Sequence, residues 1–485
     1  MNLEKAEHPE TLRRIAIEPV SRVEGHGKVT ILLDDQHKVH QVRLHIVEFR
    51  GFERFILGRP YWEVPVMVQR LCGICPVSHH LAASKALDSV IGATIPETAE
   101  TIRRLMHYGQ ILQSHALHFY HLASPDLLFG FGSDPLARNV VGVIAKYPEI
   151  ARQGILLRKF GQEVIRITAG KRVHGTGSIP GGVNKHITAA ERDELKAPLD
   201  DVLKWSQAAV KLIADVHTQR RDVYDAFGTV RSSSLSLVGH DGALDLYDGV
   251  LRARDADGQT IFDGIAASDY QSLLRENVRS WSYMKFPFIQ SLGAEHGWYK
   301  VGPLARLQNC DRVPTPLAEE ARQEWLASHA GPIQAPLAYH WARMIEMLHA
   351  AEVIADLLSR KALLGDTLTA RGERGREGVG IIEAPRGTLI HHYEVGDDDL
   401  VTMCNLIVST THNNQAMNEA IRQVARQYLD GREPSEGLLN HIEVAIRAFD
   451  PCLSCATHAL GKMPLAVEIL DPAGAIVARL VRDGG

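Results

Sequence analysis

Length, composition and charge exclude several classes of protein. The chain has 485 residues, of which 23% are charged and 45% hydrophobic, as in globular proteins and unlike disordered chains. Acidic residues outnumber lysine and arginine by 58 to 53, which gives a net charge of −5 without a long basic block and argues against nucleic acid as a main partner. The most apolar stretch, 463–481, still contains Glu468, Asp471 and Arg479, so no membrane span is expected.

Hydrophobic periodicity and turn signals predict the elements in chain order. Alternation over 28–33 and 39–47 predicts a β-hairpin, and glycine-rich segments at 166–185 and 372–380 predict loops. Helices are predicted over 63–71, 81–91, 101–122 (ending at Ser124-Pro125), 195–227, 338–364 and 413–430. Further strands are predicted at 379–384, near 389–393 and within 465–481. The fold class predicted is α+β, one large and mainly helical unit with a sheet near the N-terminus.

The cysteines indicate a site rather than a disulfide scaffold. Only six occur, and four of them form two Cys-x-x-Cys pairs, Cys72 with Cys75 and Cys452 with Cys455. The first ten residues are polar and acidic and lack the apolar core of a signal peptide. Cysteines that form a site rather than disulfides, in a chain without a signal peptide, predict a protein of the reducing cytoplasm.

Two Cys-x-x-Cys pairs suggest four thiolates around a thiophilic metal. A structural zinc, a redox disulfide and chance pairing are the alternatives. Zinc modules keep their ligands local so that a small fold can close around the metal, whereas positions 75 and 452 lie 377 residues apart. Ligands from both ends of a large chain favour a deeply buried site that performs chemistry.

The sequence around these pairs resembles the large subunit of nickel–iron hydrogenases. The first pair lies in the pattern RxCGxCxxxH that runs from Arg70 to His79, and the second lies in DPCxxCxxH from Asp450 to His458. Three further family segments stand in order, namely RVEGH at 22–26, RGFE at 50–53 and APRG at 384–387. The resemblance covers about residues 17–458 and implies the family's large-subunit fold for a domain of residues 1–458.

Softer similarity selects a branch of that family. The segment 166–185 and the ending SCATHALG look most like the cytoplasmic branch that reduces NAD. A branch that reduces NADP or the deazaflavin F420 is the alternative. The resemblance implies the catalytic subunit for reversible, heterolytic oxidation of H2, with the electrons passed through partner subunits to NAD+.

The resemblance also implies a role for each cysteine of the pairs. Cys72 and Cys452 would bind nickel terminally, and Cys75 and Cys455 would bridge nickel and iron. The iron would carry carbon monoxide and cyanide ligands. Four anionic sulfurs would make the nickel electron-rich.

Proton transfer and orientation are implied for further residues. The Cys452 thiolate would be the immediate base and Glu24 the next proton acceptor, although Glu24 alone would be interpreted as a solvated acid in a turn. Arg386, which follows Pro385, corresponds to the arginine over the open metal position. His79 would hydrogen-bond a bridging sulfur.

Two aspartates match acids that hold such an arginine in place. They are Asp126 and Asp450. Asp450 could instead cap a turn before Pro451, and Asp126 could be an acid at a helix start.

A magnesium site is implied near the C-terminal motif. Glu53 and His458 match its side-chain ligands, completed by waters and a backbone carbonyl around 404–406. Glu53 could instead pair with Arg50 or Arg54.

Other histidines and cysteines have ordinary interpretations. His115, His118 and His121 recur every third residue, a spacing that spreads around a helix, so packing or proton relay is preferred to a third metal site. Cys310 and Cys404 are expected to be buried thiols.

The 27 residues after His458 imply maturation. Family precursors are cut after this histidine once nickel is in place, so the bond between His458 and Ala459 is the expected cleavage site. The segment 459–485 would then be a removable extension, and a maturation endopeptidase and nickel-insertion chaperones would be partners. A permanently retained C-terminal strand is the alternative.

Several motifs are missing from the sequence. No Gly-x-Gly-x-x-Gly follows a predicted strand, no Walker A sequence occurs, and Cys310 and Cys404 are too few for an iron–sulfur cluster. The resemblance implies that partner subunits carry these functions. They are the small iron–sulfur subunit of hydrogenases and diaphorase subunits that carry FMN and iron–sulfur clusters.

Relatives with other functions are disfavoured by particular features. The quinone-site subunit of respiratory complex I lacks the cysteine pairs, and hydrogen-sensing regulatory proteins typically lack the cleaved extension.

Overall fold

The computed structural model describes residues 3–457, 465–470 and 476–482. Its α-helices are α1 (Phe52–Ile56), α2 (Val64–Met67), α3 (Pro76–Val90), α4 (Glu97–Leu117), α5 (Ser124–Phe129), α6 (Val140–Lys146), α7 (Pro148–Ala169), α8 (Ala189–Lys196), α9 (Leu199–Gln219), α10 (Arg221–Tyr224), α11 (Tyr270–Leu273), α12 (Gly293–His296), α13 (Pro303–Asn309), α14 (Pro316–Ala327), α15 (Ala338–Ser359), α16 (Ser409–His412), α17 (Asn414–Val424) and α18 (Glu436–Ala448).

The strands have at most nine residues each. They are β1 (Arg13–Ile17), β2 (Gly27–Leu33), β3 (Val39–Ile46), β4 (Ser178–Ile179), β5 (Gly182–Val183), β6 (Ser233–Val238), β7 (Val250–Arg254), β8 (Thr260–Ile265), β9 (Leu274–Asn277), β10 (Phe286–Ile289), β11 (Tyr299–Lys300), β12 (Glu377–Ala384), β13 (Gly387–Val395), β14 (Val401–Ile407), β15 (Leu465–Leu470) and β16 (Ile476–Arg482).

The strands form several small sheets rather than one large one. Antiparallel β1-β2-β3 and β12-β13-β14 each make a three-stranded sheet, and β11-β6-β7-β8 make a four-stranded sheet in which only β11 runs parallel to its neighbour. The pairs β4/β5, β9/β10 and β15/β16 are two-stranded. Small sheets beside long helices are the α+β arrangement.

Long helices form the main core. Helices α4, α7, α9 and α15 pack against one another and bury a continuous apolar cluster. Helix α7 shows why the sequence folds this way, since Pro148 starts it at a position where the missing N–H costs nothing, and Gly170 ends it at φ +82°. No helix in the described residues combines the length and apolar character needed to cross a membrane.

The close packing of α3 on β12 brings together two segments that carry candidate site residues. Helix α3 starts directly after Cys75, and β12 ends two residues before Arg386. A methyl group on Gly378 or Gly380 would overlap the backbone of α3. These glycines therefore allow the helix to lie directly on the strand and bring Cys75 near Arg386.

The hairpin predicted at 28–33 and 39–47 is confirmed as β2 and β3, and β12, β13 and the helix at 413–430 are also found where expected. The end predicted at Ser124-Pro125 is wrong. A π-helical turn, His118–Ala123, continues α4 into α5, where Pro125 occupies a first-turn position without an N–H requirement.

Other boundaries differ for local reasons. The predicted helix at 195–227 is divided among three helices: Pro198 separates α8 from α9, and the chain leaves the helical conformation at Arg220 (φ −127°) between α9 and α10. The predicted loop at 166–185 contains the end of α7 and the hairpin β4/β5. The predicted strands of the tail are confirmed as β15 and β16.

Candidate metal centre

Four cysteines from opposite ends of the chain meet in one buried cluster. The sulfurs of Cys72, Cys75, Cys452 and Cys455 all lie within 4.8 Å of one another, and the Cys72 and Cys452 sulfurs are 3.6 Å apart. Each residue is at most 5% exposed, and none of the described cysteines forms a disulfide. Thiols this close and this dry form a site for a thiophilic metal.

Turns at both ends present these sulfurs. Cys72 follows a 3-10 turn, and its sulfur accepts hydrogen bonds from the backbone N–H groups of Ile74 (3.3 Å) and Cys75 (3.1 Å). The second pair follows α18 through Asp450, whose φ of +53° turns the chain sharply. Residues 454–456 then form a 3-10 turn that carries Cys455.

The protein environment stabilises negative charge in the cluster. Burial opposes ionisation of the Cys72 thiol, but hydrogen bonds from the other three cysteines and the charge of Arg386 lower its pKa well below the usual range. Burial raises the pKa of Cys452 and of Cys455. One anion therefore forms readily, and a multivalent cation is needed to stabilise several.

Arg386 is held beside the thiols by two partners. Its guanidinium donates to the Asp450 carboxylate at 3.0 Å and to the Ser114 hydroxyl at 3.2 Å. Burial disfavours the charge, but Asp450 and the cysteines raise the pKa of Arg386 well above its usual value. The structure thus brings the predicted Arg386 and Asp450 together.

Glu24 lies against the second cysteine pair. Its backbone forms a parallel bridge to Cys452, its carbonyl accepts from the N–H of Leu453 at 2.9 Å, and its carboxylate accepts from the hydroxyl and N–H of Ser454. Gly25, at φ +79°, permits this approach because a side chain there would meet Ser454. Burial and the Cys72 charge raise the pKa of Glu24. The sequence-based alternative of a solvated acid in a turn is wrong, since Glu24 is half-buried against Ser454.

Asp126 does not contact Arg386. It pairs with Arg22 at 2.7 Å and Arg447 at 2.8 Å, so the expectation that it holds Arg386 is wrong. Burial opposes its ionisation, but these arginines lower the pKa of Asp126. Because Arg22 is two residues before Glu24, Asp126 anchors the segment that carries Glu24 rather than the arginine beside the thiols.

His79 lies next to the thiols in a second buried network. Its Nδ1 is 3.1 Å from Nε2 of His391, whose Nδ1 is 2.6 Å from the Tyr393 hydroxyl. Burial lowers the pKa of His79 to about 4. His79, Pro385, Arg386 and Cys75 line the same small cavity.

Arg306 is a site residue that sequence analysis missed. Its guanidinium donates to the carbonyl oxygens of Ala384 at 2.7 Å and Pro385 at 3.3 Å, and so fixes the backbone just before Arg386. Glu346 at 2.6 Å and Glu383 at 2.9 Å pair with it, and all three side chains are fully buried. No local pattern signals this residue, because its partners lie 40 and 77 positions away.

Glu53 lies in α1 and is buried at 4% exposure. Its carboxylate accepts from the N–H of Leu406 at 2.9 Å. The carbonyl of Thr457 accepts from the N–H groups of Arg50 (3.1 Å) and Gly51 (3.3 Å), just before α1. The predicted partner His458, together with the cleavage bond to Ala459, lies outside the described residues.

The histidines of α4 contact different partners. His115 lies 3.1 Å from Glu346, while His118 bonds the Arg447 carbonyl at 2.7 Å and stacks on His340. Within the described chain they form no joint ligand set. Cys310 and Cys404 are buried, and burial raises the pKa of Cys310 to about 12.

The residues fit a resident metal centre. Soft thiolate donors, a dry cavity, the backbone N–H groups aimed at Cys72 and the paired arginine all suit a centre of nickel and iron. A family profile described as nickel-dependent hydrogenase matches residues 50–128 and 245–458, and a profile described as HoxL-like matches residues 14–49. The chain belongs to the nickel-dependent hydrogenases.

Relatives and solved structures agree with this family. The hydrogenase chain is 46% identical over 489 residues to the beta subunit of the NAD-reducing hydrogenase HoxS of Cupriavidus necator, covering 97% of this chain and 100% of the relative. It is 44% identical over 414 residues to a subunit of the F420-non-reducing hydrogenase vhu of Methanocaldococcus jannaschii, covering 85% and 99%. A chain solved as an NAD+-reducing [NiFe]-hydrogenase in the H2-reduced state matches with a TM-score of 0.91 at 60% identity, over 92% of this chain and 99% of the other.

These findings confirm three predictions made from the sequence. The family is the nickel–iron hydrogenases with greatest resemblance to the NAD-reducing branch, the fold is that of the large subunit, and the protein is an enzyme of hydrogen oxidation. The four-cysteine cluster supports nickel and iron as its metals.

Proposed function

We propose that this chain is the catalytic subunit for the reaction H2 + NAD+ ⇌ NADH + H+. The observation that carries the proposal is the buried cluster of four thiols against which Arg386 and Glu24 pack. NAD+ is assigned because the Cupriavidus relative and the solved chain with 60% identity are both described as NAD-reducing. The F420-non-reducing relatives share less identity with this chain, 37–44%.

The proposal assigns the metals to individual thiols. Cys72 and Cys452 would hold nickel, and Cys75 and Cys455 would hold both nickel and iron, with carbon monoxide and cyanide as the remaining iron ligands. When bound, this group supplies the Lewis acidity that polarises H2 and the redox capacity that accepts its two electrons.

The protein residues move and hold the proton. The Cys452 thiolate takes it first, and the Glu24 carboxylate takes it next. Burial of Glu24 and its contact with the backbone of residues 453–454 keep its carboxylate in place for this transfer. A positioned acid–base group contributes about 10²–10⁴-fold to a rate.

Orientation is assigned to groups around the thiols. Arg386 would hold a fixed positive charge beside the metals, and Asp450 fixes its side chain while Pro385 restricts the backbone before it. His79 donates a hydrogen bond to the bridging sulfur of Cys75, with His391 holding its other ring nitrogen.

A magnesium ion is assigned to a separate site near the C-terminal cysteine motif. Glu53 and His458 are its proposed side-chain ligands, with waters and a backbone carbonyl of residues 404–406. The hydrogen bonds from Arg50 and Gly51 to Thr457 support this assignment, because they bring the chain that precedes His458 to the start of the helix that carries Glu53.

Residues 1–458 are the proposed mature domain, and residues 459–485 the extension that a maturation endopeptidase removes after chaperones insert nickel. The family profile supports this division because its match ends at His458. Intact-mass measurement of active enzyme is expected to show a chain ending at His458, and active enzyme that ends at Gly485 would refute it.

Partner subunits must carry the electrons away. We assign this role to the small iron–sulfur subunit of hydrogenases, with diaphorase subunits that hold FMN and iron–sulfur clusters, in a cytoplasmic complex. Apolar side chains exposed by about half at Phe49, Phe55 and Trp62 offer a surface for such a partner. The thiols, none of which forms a disulfide among described residues, suit a reducing compartment.

Infrared spectroscopy of the purified complex tests the metal centre, and NADH formation from H2 tests the acceptor. Sharp bands in the region of metal-bound carbon monoxide and cyanide are expected, with NAD+ reduced much faster than NADP+ or F420. If metal-loaded enzyme shows no bands in this infrared region, the proposed nickel–iron centre is wrong. If the bands are sharp but NAD+ is not reduced, only the assignment of NAD+ as the electron acceptor is wrong.

A further inference from the structure

A second group of metal-ligand side chains lies outside the four-thiol cluster. His217 at the end of α9, Asp225 just after α10 and His329 after α14 place their ligand atoms within 4.8 Å of one another. His217 Nε2 is 2.7 Å and His329 Nε2 is 3.4 Å from the same carboxylate oxygen, Oδ1 of Asp225. Three segments of the chain thus converge on one point.

In its neutral form, His329 points a nitrogen lone pair at that carboxylate. Its Nδ1 lies 3.0 Å from the Trp325 carbonyl and 2.9 Å from the Ser328 hydroxyl, which itself donates to the Trp325 carbonyl. Nδ1 therefore carries the hydrogen. Nε2, in a side chain that is 10% exposed, has no hydrogen-bond donor in the described structure. Two acceptors then face each other, and a cation between them would pair with both.

Distances and access suit a divalent cation. Zinc–nitrogen bonds of about 2.0–2.1 Å in a tetrahedral site separate neighbouring ligand atoms by about 3.3 Å, close to the distance between His329 and Asp225. The side chain of Asp225 is 36% exposed and can turn to widen its separation from His217. The hydrogen bond from Nδ1 of His329 to a carbonyl is the support that metal-bound histidines use.

We propose that His217, Asp225 and His329 bind a zinc-type divalent cation, with a solvent molecule as the fourth ligand. The cation fastens the α9–α10 turn to the segment between α14 and α15. Helices α9 and α15 are neighbours in the main core, so the site acts as a clip on the outside of that core. Its ligands are imidazole and carboxylate, which suit zinc and differ from the thiolates of the hydrogen site.

Metal analysis of the mature complex tests this site, because there the cysteines already hold nickel and iron. After dialysis against EDTA, the complex is loaded with Zn²⁺ and the zinc per chain is measured for wild type, D225N, H329Q and the control H296Q, which changes an exposed histidine. Wild type and H296Q are expected to bind one zinc more than the other two. Affinity is expected to fall more than about tenfold in D225N and H329Q, since loss of a supporting group alone costs 10–100-fold.

Two further readouts separate this site from the cysteines and from misfolding. Co²⁺ is expected to give visible bands without the near-ultraviolet thiolate charge transfer that cysteine ligands produce. Zn²⁺ is expected to raise the melting temperature of wild type and H296Q only. Equal zinc uptake by all four proteins, or no uptake by wild type, would overturn the proposal, and in the latter case a proton on His329 would fill the gap.

Discussion

The Arg386 guanidinium lies 3.0 Å from the Asp450 carboxylate, and both side chains are at most 3% exposed. Ser114 receives the second hydrogen bond of the same guanidinium at 3.2 Å. A planar fork can serve both partners at once, whereas a lysine ammonium on a flexible stem cannot hold the same position. The charge beside the thiols is therefore fixed in place rather than merely present.

Replacing Arg386 with lysine is expected to lower kcat for H2 oxidation by about 10²-fold, the scale of losing one preorganised electrostatic group. Nickel and iron content should be unchanged, because no metal ligand is altered. The control is R312K in the exposed pair with Asp241, which should leave kcat at the wild-type level. Wild-type kcat in R386K with full metal content would contradict the role.

Replacing Glu24 with glutamine keeps the shape of the side chain but removes the proton acceptor. H2 oxidation is expected to fall by about 10²–10⁴-fold, as for other acid–base groups. Nickel content and infrared bands should persist, since Glu24 contacts Ser454 and not a sulfur in this structure. The matched control E18Q changes a half-exposed glutamate in the same segment, and equal activities of E24Q and E18Q would rule out the proton path.

Arg306 fixes the backbone before Arg386, and its loss should affect both stability and activity. R306Q leaves the buried Glu346 and Glu383 without their cation, which is expected to lower the free energy of unfolding by about 3–5 kcal/mol. Urea unfolding measures this change, with R312Q as a control at an exposed ion pair. If Arg306 contributed only to core packing, R306Q would lower the free energy of unfolding but leave kcat per nickel unchanged.

Stability should fall in mild acid because several histidines are buried in the neutral form. His45 is an example, since burial lowers its pKa to about 4. Its Nδ1 donates to the Trp281 carbonyl and its Nε2 accepts from the Thr30 hydroxyl. The unfolded chain binds a proton near pH 6.5 and the folded chain does not, so the free energy of unfolding decreases from pH 6.5 down to about 4, where the loss from His45 reaches about 3 kcal/mol.

Unfolding midpoints measured between pH 7.5 and 5 check this expectation, because this range extends from about one pH unit above the unfolded histidine pKa to about 1.5 below it. H45Q, which cannot titrate, should show a shallower dependence on pH than wild type. The exposed-histidine variant H296Q should run parallel to wild type. Parallel curves for H45Q and wild type would show that His45 is not the source of the slope.

The sequence predicted the metal centre better than it predicted what supports it. Cys72, Cys75, Cys452 and Cys455 carry both a distinctive residue type and a distinctive spacing, so the cluster follows from the sequence alone. Arg306 has neither, because its meaning depends on which helices and strands meet around it.

The errors in predicting the fold from the sequence have the same origin. Pro198 interrupts a helical pattern that is periodic on either side, whereas the π-helical turn at His118–Ala123 continues the helix past the end that the sequence predicted. Asp126 was expected to orient Arg386, but Arg22 from the segment before β2 and Arg447 from α18 pair with it instead. Pairings that depend on where distant segments meet cannot be derived from local spacing.

The packing of α3 on β12 provides a test of how the fold positions the thiols. A methyl group at Gly380 would lie 2.6 Å from the backbone nitrogen of Ala86 and would overlap the Ala82 carbonyl. G380A must therefore push the helix that starts after Cys75 away from the strand that ends before Arg386. Overpacking of this kind is expected to cost about 1–3 kcal/mol.

The movement should be detected at the metal centre as well as in stability. G380A is expected to hold less nickel per chain than wild type and to show broader infrared bands, because Cys75 and Arg386 no longer keep their separation. G375A is the matched control, since the nearest atom to its added methyl is the Ser89 carbonyl at an ordinary 3.5 Å. Destabilisation of G380A with wild-type nickel content and sharp bands would mean that the thiol cluster is positioned by its own turns, independently of the contact between helix and strand.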